Sequence, residues 1–138
     1  MKLEEQVISL DLARKLHDLG VRSESLFRWH DPLNDNDWEP TALKKAYIEK
    51  HDYNPENYPA YTVAELGEML PVCIQDYYWL EIHKIARNKY DGFIIKYVND
   101  SFYSIFITAN KKEADARCLT LVYLIENNYV KVEDLNDK

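Results

Sequence analysis

Apolar positions recur at helical spacing in three stretches of the chain and crowd together with aromatic and β-branched residues in a fourth. In the first, Leu12, Ala13, Leu16 and Leu19 form one stripe; Ser9 stands at an N-cap position, Asp11 lies near the positive helix end, and Gly20 follows as a stop. This predicts a short helix. In the second, 62–71, Thr62 and Glu65 make a Thr-x-x-Glu capping box, Val63, Leu66, Met69 and Leu70 give an apolar face, and Pro71 ends it. Gly67 inside that helix costs about 1 kcal/mol against Ala, which points to another backbone packed closely there. In the third, Asn110 is placed to cap, Glu113 follows three residues on, and Ala114, Cys118, Leu121, Val122 and Ile125 recur on one face, widened by Leu119 and Leu124. Asn127-Asn128 closes this helix, and residues 131–138 read as a frayed tail.

Between the second and third helices the pattern changes. Residues 77–86 fit a strand or a helix by apolar spacing, but Tyr77-Tyr78-Trp79 and Ile82 favour a strand. Residues 93–98 and 102–108 are aromatic and β-branched, with Asn99-Asp100-Ser101 as the hairpin turn between them and Asp91-Gly92 as a turn before Phe93. A short aromatic strand is expected at 25–29, ahead of His30-Asp31-Pro32. Residues 31–59 read as an irregular polar insertion rich in Asn, Asp and Pro, with room for a helical turn or two at 41–50. The expected fold class is α+β: a small antiparallel sheet, made of a three-strand meander plus the short N-terminal strand, packed against helices in a single domain spanning 1–138.

Composition bounds the function more than it defines it. The chain has 138 residues, 46% of them hydrophobic and 30% charged, the balance of a folded globular protein able to bury its own core. A net charge of −7 argues against nucleic acid as a partner, because whole-chain charge cannot supply phosphate neutralisation. No segment approaches the ~18 apolar residues of a membrane span, and the acidic, interrupted N-terminus is unlike a signal peptide, so no membrane partner and a cytoplasmic location are expected. Cys73 and Cys118 are too few for a disulfide framework and read as reduced core thiols.

Three stretches read together carry a resemblance. They are 9–16 (Ser-Leu-Asp-Leu-Ala-Arg-Lys-Leu) with Gly20-Val21, 62–71 (Thr-Val-Ala-Glu-Leu-Gly-Glu-Met-Leu-Pro), and 113–117 (Glu-Ala-Asp-Ala-Arg) with Leu124-Ile125-Glu126-Asn127. The chain resembles a group of small uncharacterised proteins of phages, prophages and mobile elements, some described as alpha-beta-alpha sandwich domains. That resemblance implies a fold type and a genomic setting, and it carries no site residues. It does not extend over 31–59.

Motifs for chemistry are sparse. The crowded Asp31, Asn34, Asp35, Asn36 and Asp37 lack the residue order of a calcium loop, and His17, His30, His51 and His83 lack metal-ligand spacing. With only three glycines and no nucleophile signature, no cofactor is expected. A helix-turn-helix reading pairs 62–72 with a recognition helix from about Gln75, ending in His83, Lys84, Arg87 and Lys89, with 93–108 as a wing. The apolar bulk of Tyr77-Tyr78-Trp79-Leu80 and the acid Glu81 oppose it. A third reading is a small enzyme using Glu81 and His83, which share a face of a strand. The favoured reading rests on the aromatic load, 13% of the chain. With 77–86 as a strand, Tyr77, Trp79, Glu81 and His83 form one amphipathic aromatic face, of the composition that enriches interfaces. The chain is therefore expected to be a non-enzymatic accessory or interaction protein, binding a protein partner or itself as a homodimer. The competing structural reading covers that face with the 31–59 segment.

Overall fold

A computed structural model of the chain describes residues 1–51, 53–87 and 90–137. The fold is α+β. In chain order the elements are α1 (Leu3–Gln6), α2 (Leu10–Asp18), β1 (Arg28–His30), β2 (Glu39–Thr41), α3 (Lys45–His51), β3 (Asn57–Pro59), α4 (Val63–Met69), β4 (Cys73–Ile74), β5 (Tyr78–Arg87), β6 (Tyr90–Val98), β7 (Ser104–Asn110), α5 (Glu113–Glu126) and α6 (Val132–Asn136).

The helix signals act largely as expected. At the end of α2, Gly20 takes φ +98° while its N–H donates to His17 O and that of Val21 donates to Leu16 O, the paired bonds of a Schellman motif. Asn128 does the same for α5 at φ +64°, with its N–H on Ile125 O and that of Tyr129 on Leu124 O. Thr62 and Glu65 form the capping box of α4. Two caps differ. Ser9 is the N-cap of α2, but its side chain makes no cap bond, and its N–H instead donates to Asp115 Oδ1 (2.8 Å), tying α2 to α5. Lys112, not Asn110, is the N-cap of α5; Asn110 Oδ1 accepts from Lys112 N in the preceding turn.

The strands form two sheets rather than one. The meander β5-β6-β7 is present and antiparallel, and β4 extends it to the order β4-β5-β6-β7. The Asp91-Gly92 pair does not turn the chain: both residues lie inside β6, opposite Ala86 and Ile85. The N-terminal strand, shifted to Arg28–His30, joins no meander strand and is the centre of a separate sheet of order β2-β1-β3. Residues 31–59 are thus not an irregular insertion, since they supply β2, α3 and β3. Asp31 organises their first turn, its carboxylate accepting the N–H groups of Asp35, Asn36 and Asp37.

The core runs from Val7 and Ile8 through Leu16, Tyr61, Leu66 and Tyr97 to Leu121, Leu124 and Leu135. Its large aromatics keep their polar tips satisfied: Trp29 Nε1 donates to Ile8 O, Tyr61 Oη to Ser23 O and Tyr97 Oη to Pro71 O, all within 2.7 Å. The C-terminal segment is not frayed. Leu135 is buried, and Asn136 accepts from Arg22 N and donates to Gly20 O. Gly67 admits a side chain rather than a backbone, because a Cβ there would lie 2.8 Å from Arg117 Nη1.

Candidate functional site: the outer face of the four-stranded sheet

Helix α5 packs on the inner side of β6 and β7, where Phe106 stacks on Tyr123 at 4.2 Å and Ile95 and Tyr97 are fully buried. Because side chains alternate along a strand, the opposite face carries Trp79, Glu81, His83 and Ile85 from β5, Ile94, Lys96 and Val98 from β6, and Ile107 and Ala109 from β7. This face is open. Trp79 is 49% exposed and Ile107 60% exposed. Among the described residues, neither a second helical layer, as an alpha-beta-alpha sandwich would place there, nor the 31–59 segment covers Trp79 and Ile107: Trp38 of that segment packs on Tyr58 instead.

Of the four residues singled out by alternation, three stand together. Trp79 lies opposite Cys73 on one side and Val98 on the other. Two residues along, Glu81 Oε2 is 3.4 Å from His83 Nε2 and 3.7 Å from Lys96 Nζ, its cross-strand neighbour. Tyr77 is outside the strand. It ends a tight turn in which Gln75 and Asp76 both take positive φ, closed by Tyr77 N–H on Ile74 O, and its ring meets Tyr78 edge-on at 5.1 Å. It remains half exposed.

Sequence reasoning missed two further aromatics. The Asn99-Asp100-Ser101 turn is closed by Asn99, whose N–H and Oδ1 and carbonyl oxygen bond to Tyr103, Ser101 and Phe102. This leaves Phe102 and Tyr103 projecting at 90% and 71% exposure. Since Trp79, Val98 and Ser104 are in register, the turn sits at the same end of the sheet as Trp79. Phe102 holds φ +65°, a conformation rarely tolerated by a bulky residue. An aromatic ring kept in solvent on a strained backbone does nothing for the core. The signal available in the sequence was Ser101-Phe102-Tyr103 itself, aromatics directly after turn residues.

Glu81 and His83 do approach each other, but they stand half exposed on a pleated sheet with Lys96 on the same carboxylate oxygen, and exposed pairs of this kind contribute little. The recognition helix that the helix-turn-helix reading needs is absent, because Tyr78–Arg87 is a strand with β6 along its full length. Lys84 is exposed on that strand, and Lys89 lies outside the described residues. The two cysteines are unpaired. Cys118 is buried, and burial, with Asp115 adding to it, pushes its thiol far above the ordinary range. No helix is long and apolar enough to cross a membrane among the described residues.

Comparison of the chain with family models, with curated proteins and with solved structures gives no match.

Proposed function

We propose that the protein is a non-enzymatic interaction module that pairs with a second copy of itself through the outer face of the four-stranded sheet. The observation that carries this reading is the exposure of Trp79 and Ile107 on the outer face, with Phe102 and Tyr103 projecting from the turn at the same end of the sheet as Trp79. Solvent-facing apolar groups gathered in this way mark interfaces, and Trp and Tyr are the residues most enriched in them. A second copy is the occupant favoured by charge. Glu81 and Lys96 lie side by side on neighbouring strands, so a two-fold axis that lies between the two packed faces, parallel to the strands and over this pair, sets each carboxylate against the partner copy's ammonium, which is the self-complementarity that an isologous interface requires.

The setting implied by the resemblance is a phage or mobile-element accessory protein. Two unpaired thiols, one of them deep in the core, suit a reducing compartment such as the cytoplasm. An NMR dilution series tests the interface: amide shifts of Ile94, Lys96, Trp79 and Ile107 should move together with concentration while those of α2 and α6 stay fixed. Uniform or absent concentration dependence overturns the reading.

A further inference from the structure

We propose that the small cleft between α2, β1 and α3 is a binding site for a phosphate-type oxyanion, held by Arg28, Arg22, Lys45 and His17. Arg28, on the central strand β1, is only 5% exposed. Its Nε donates to Asn57 Oδ1 on the neighbouring strand, and Asn57 is itself fixed by a 2.6 Å bond from Nδ2 to Pro55 O. Among the described residues no carboxylate lies within ion-pair distance of this guanidinium. A buried cation without a paired anion is costly, so the fold retains here a charge that a bound anion would complete.

The surroundings point the same way. The cleft has a volume of about 60 Å³ and is lined by His17, Arg22, Glu24, Arg28, Lys45 and Asn57, with Pro59. Arg22 is held at its edge by bonds from Nη1 to His17 O (2.7 Å) and Val21 O (3.0 Å). Burial and then the nearby Arg22, with Lys45 and Arg28, keep the His17 imidazole below its ordinary pKa against the opposing pull of Asp18. Three acids are within reach: Glu24, which lines the cleft, Asp18, whose Oδ1 is 3.9 Å from His17 Nδ1, and Glu49, which is 3.8 Å from Lys45 Nζ. Among the residues that line the cleft, the cations Arg22, Arg28 and Lys45 face one carboxylate, Glu24, in a chain of net charge −7.

Size and direction select the ligand class. The space is about twice the ~30 Å³ share of a water molecule and far below the roughly 300 Å³ of a small-molecule pocket, so one anionic group enters and any remainder of its molecule stays outside. Arg22, Arg28 and Lys45 approach from the loop after α2, from β1 and from α3. Donors on three sides suit a tetrahedral dianion, whereas a planar carboxylate is best met by one bidentate fork. This site is remote in sequence and element from the outer sheet face, and neither proposal requires the other.

The test is a titration of the full chain with inorganic phosphate at ionic strength held constant with sodium chloride, followed by amide NMR and calorimetry. Because phosphate stabilises proteins generally by exclusion from their surface, saturation and the response of variants are the readouts. Saturable shifts centred on His17, Arg28 and Asn57 are expected. Lys45→Met and Arg22→Gln, both at exposed positions, should each weaken binding roughly tenfold with unchanged circular dichroism. Equal affinity in wild type and both variants, no saturation at tens of millimolar phosphate, or acetate binding as tightly as phosphate would each overturn the assignment.

Discussion

Arg117 occupies the space that a side chain at position 67 would need: its Nη1 lies 2.8 Å from the place of a Cβ on Gly67, and its Nη2 and Nε both bond Glu113 Oε2. The guanidinium thus lies across α4 while anchored on α5. The helix-weakening glycine is kept for this contact.

Gly67→Ala should therefore give no gain in the wild-type background, where the about 1 kcal/mol of added helix propensity is offset by displacing Arg117. In an Arg117→Ala background the same substitution should stabilise by about 1 kcal/mol, because the space is then empty. Urea unfolding of the four proteins measures this coupling. Equal effects of Gly67→Ala in both backgrounds would contradict it.

Leu135 tests the docking of α6. Its side chain is buried in the common core, and Ser23 Oγ donates to its carbonyl. Leu135→Ala should cost about 2–4 kcal/mol, as a core truncation does. A terminus that frays would lose almost nothing, and denaturant midpoints separate the two outcomes.

Phe102 should show stability and association moving in opposite directions. Its positive φ favours glycine and its ring touches little, so Phe102→Gly should raise stability by about 1 kcal/mol. The same substitution removes an exposed aromatic from the proposed interface and should weaken self-association. If thermal stability falls, the ring packs on something that matters to the folded chain.

His17 should add a pH slope to stability. Its folded pKa is below the 6.5 of the unfolded chain, so on acidification the unfolded state takes up the proton first. The stabilisation is present above pH 6.5 and is lost as pH falls through the window between 6.5 and the folded value. Chemical denaturation across that range should show a shallower loss for His17→Gln. An imidazole NMR titration midpoint at or above 6.5 would contradict the cause given, which is burial followed by the charges of Arg22, Lys45 and Arg28.

What the sequence disclosed depended on how long each pattern ran. Helices α2, α4 and α5 and the hairpin β6-β7 each offer several turns or alternations bounded by Gly, Pro or Asn, and were legible. The β2-β1-β3 sheet was not. Its strands are three residues long, too short to alternate, and Pro40 and Pro59 within them speak against a strand; both lie on edge strands, where a missing N–H is tolerated. Alternation along β5 disclosed Trp79, Glu81 and His83. It could not disclose Lys96 or Ile107, whose place beside them is set by cross-strand register. The oxyanion cleft was invisible for a related reason, since His17, Arg22, Arg28 and Lys45 are scattered residues brought together only by the packing of α2 and α3 around β1.

Self-association through the outer face is the central claim, and light scattering coupled to size exclusion tests it most directly. Wild type at high concentration should elute at twice the 16.4 kDa chain mass, and Trp79→Ala and Ile107→Lys should each elute as monomers with the circular dichroism of the parent. A wild type that stays at 16.4 kDa across hundreds of micromolar, or folded variants that keep the doubled mass, would contradict the account.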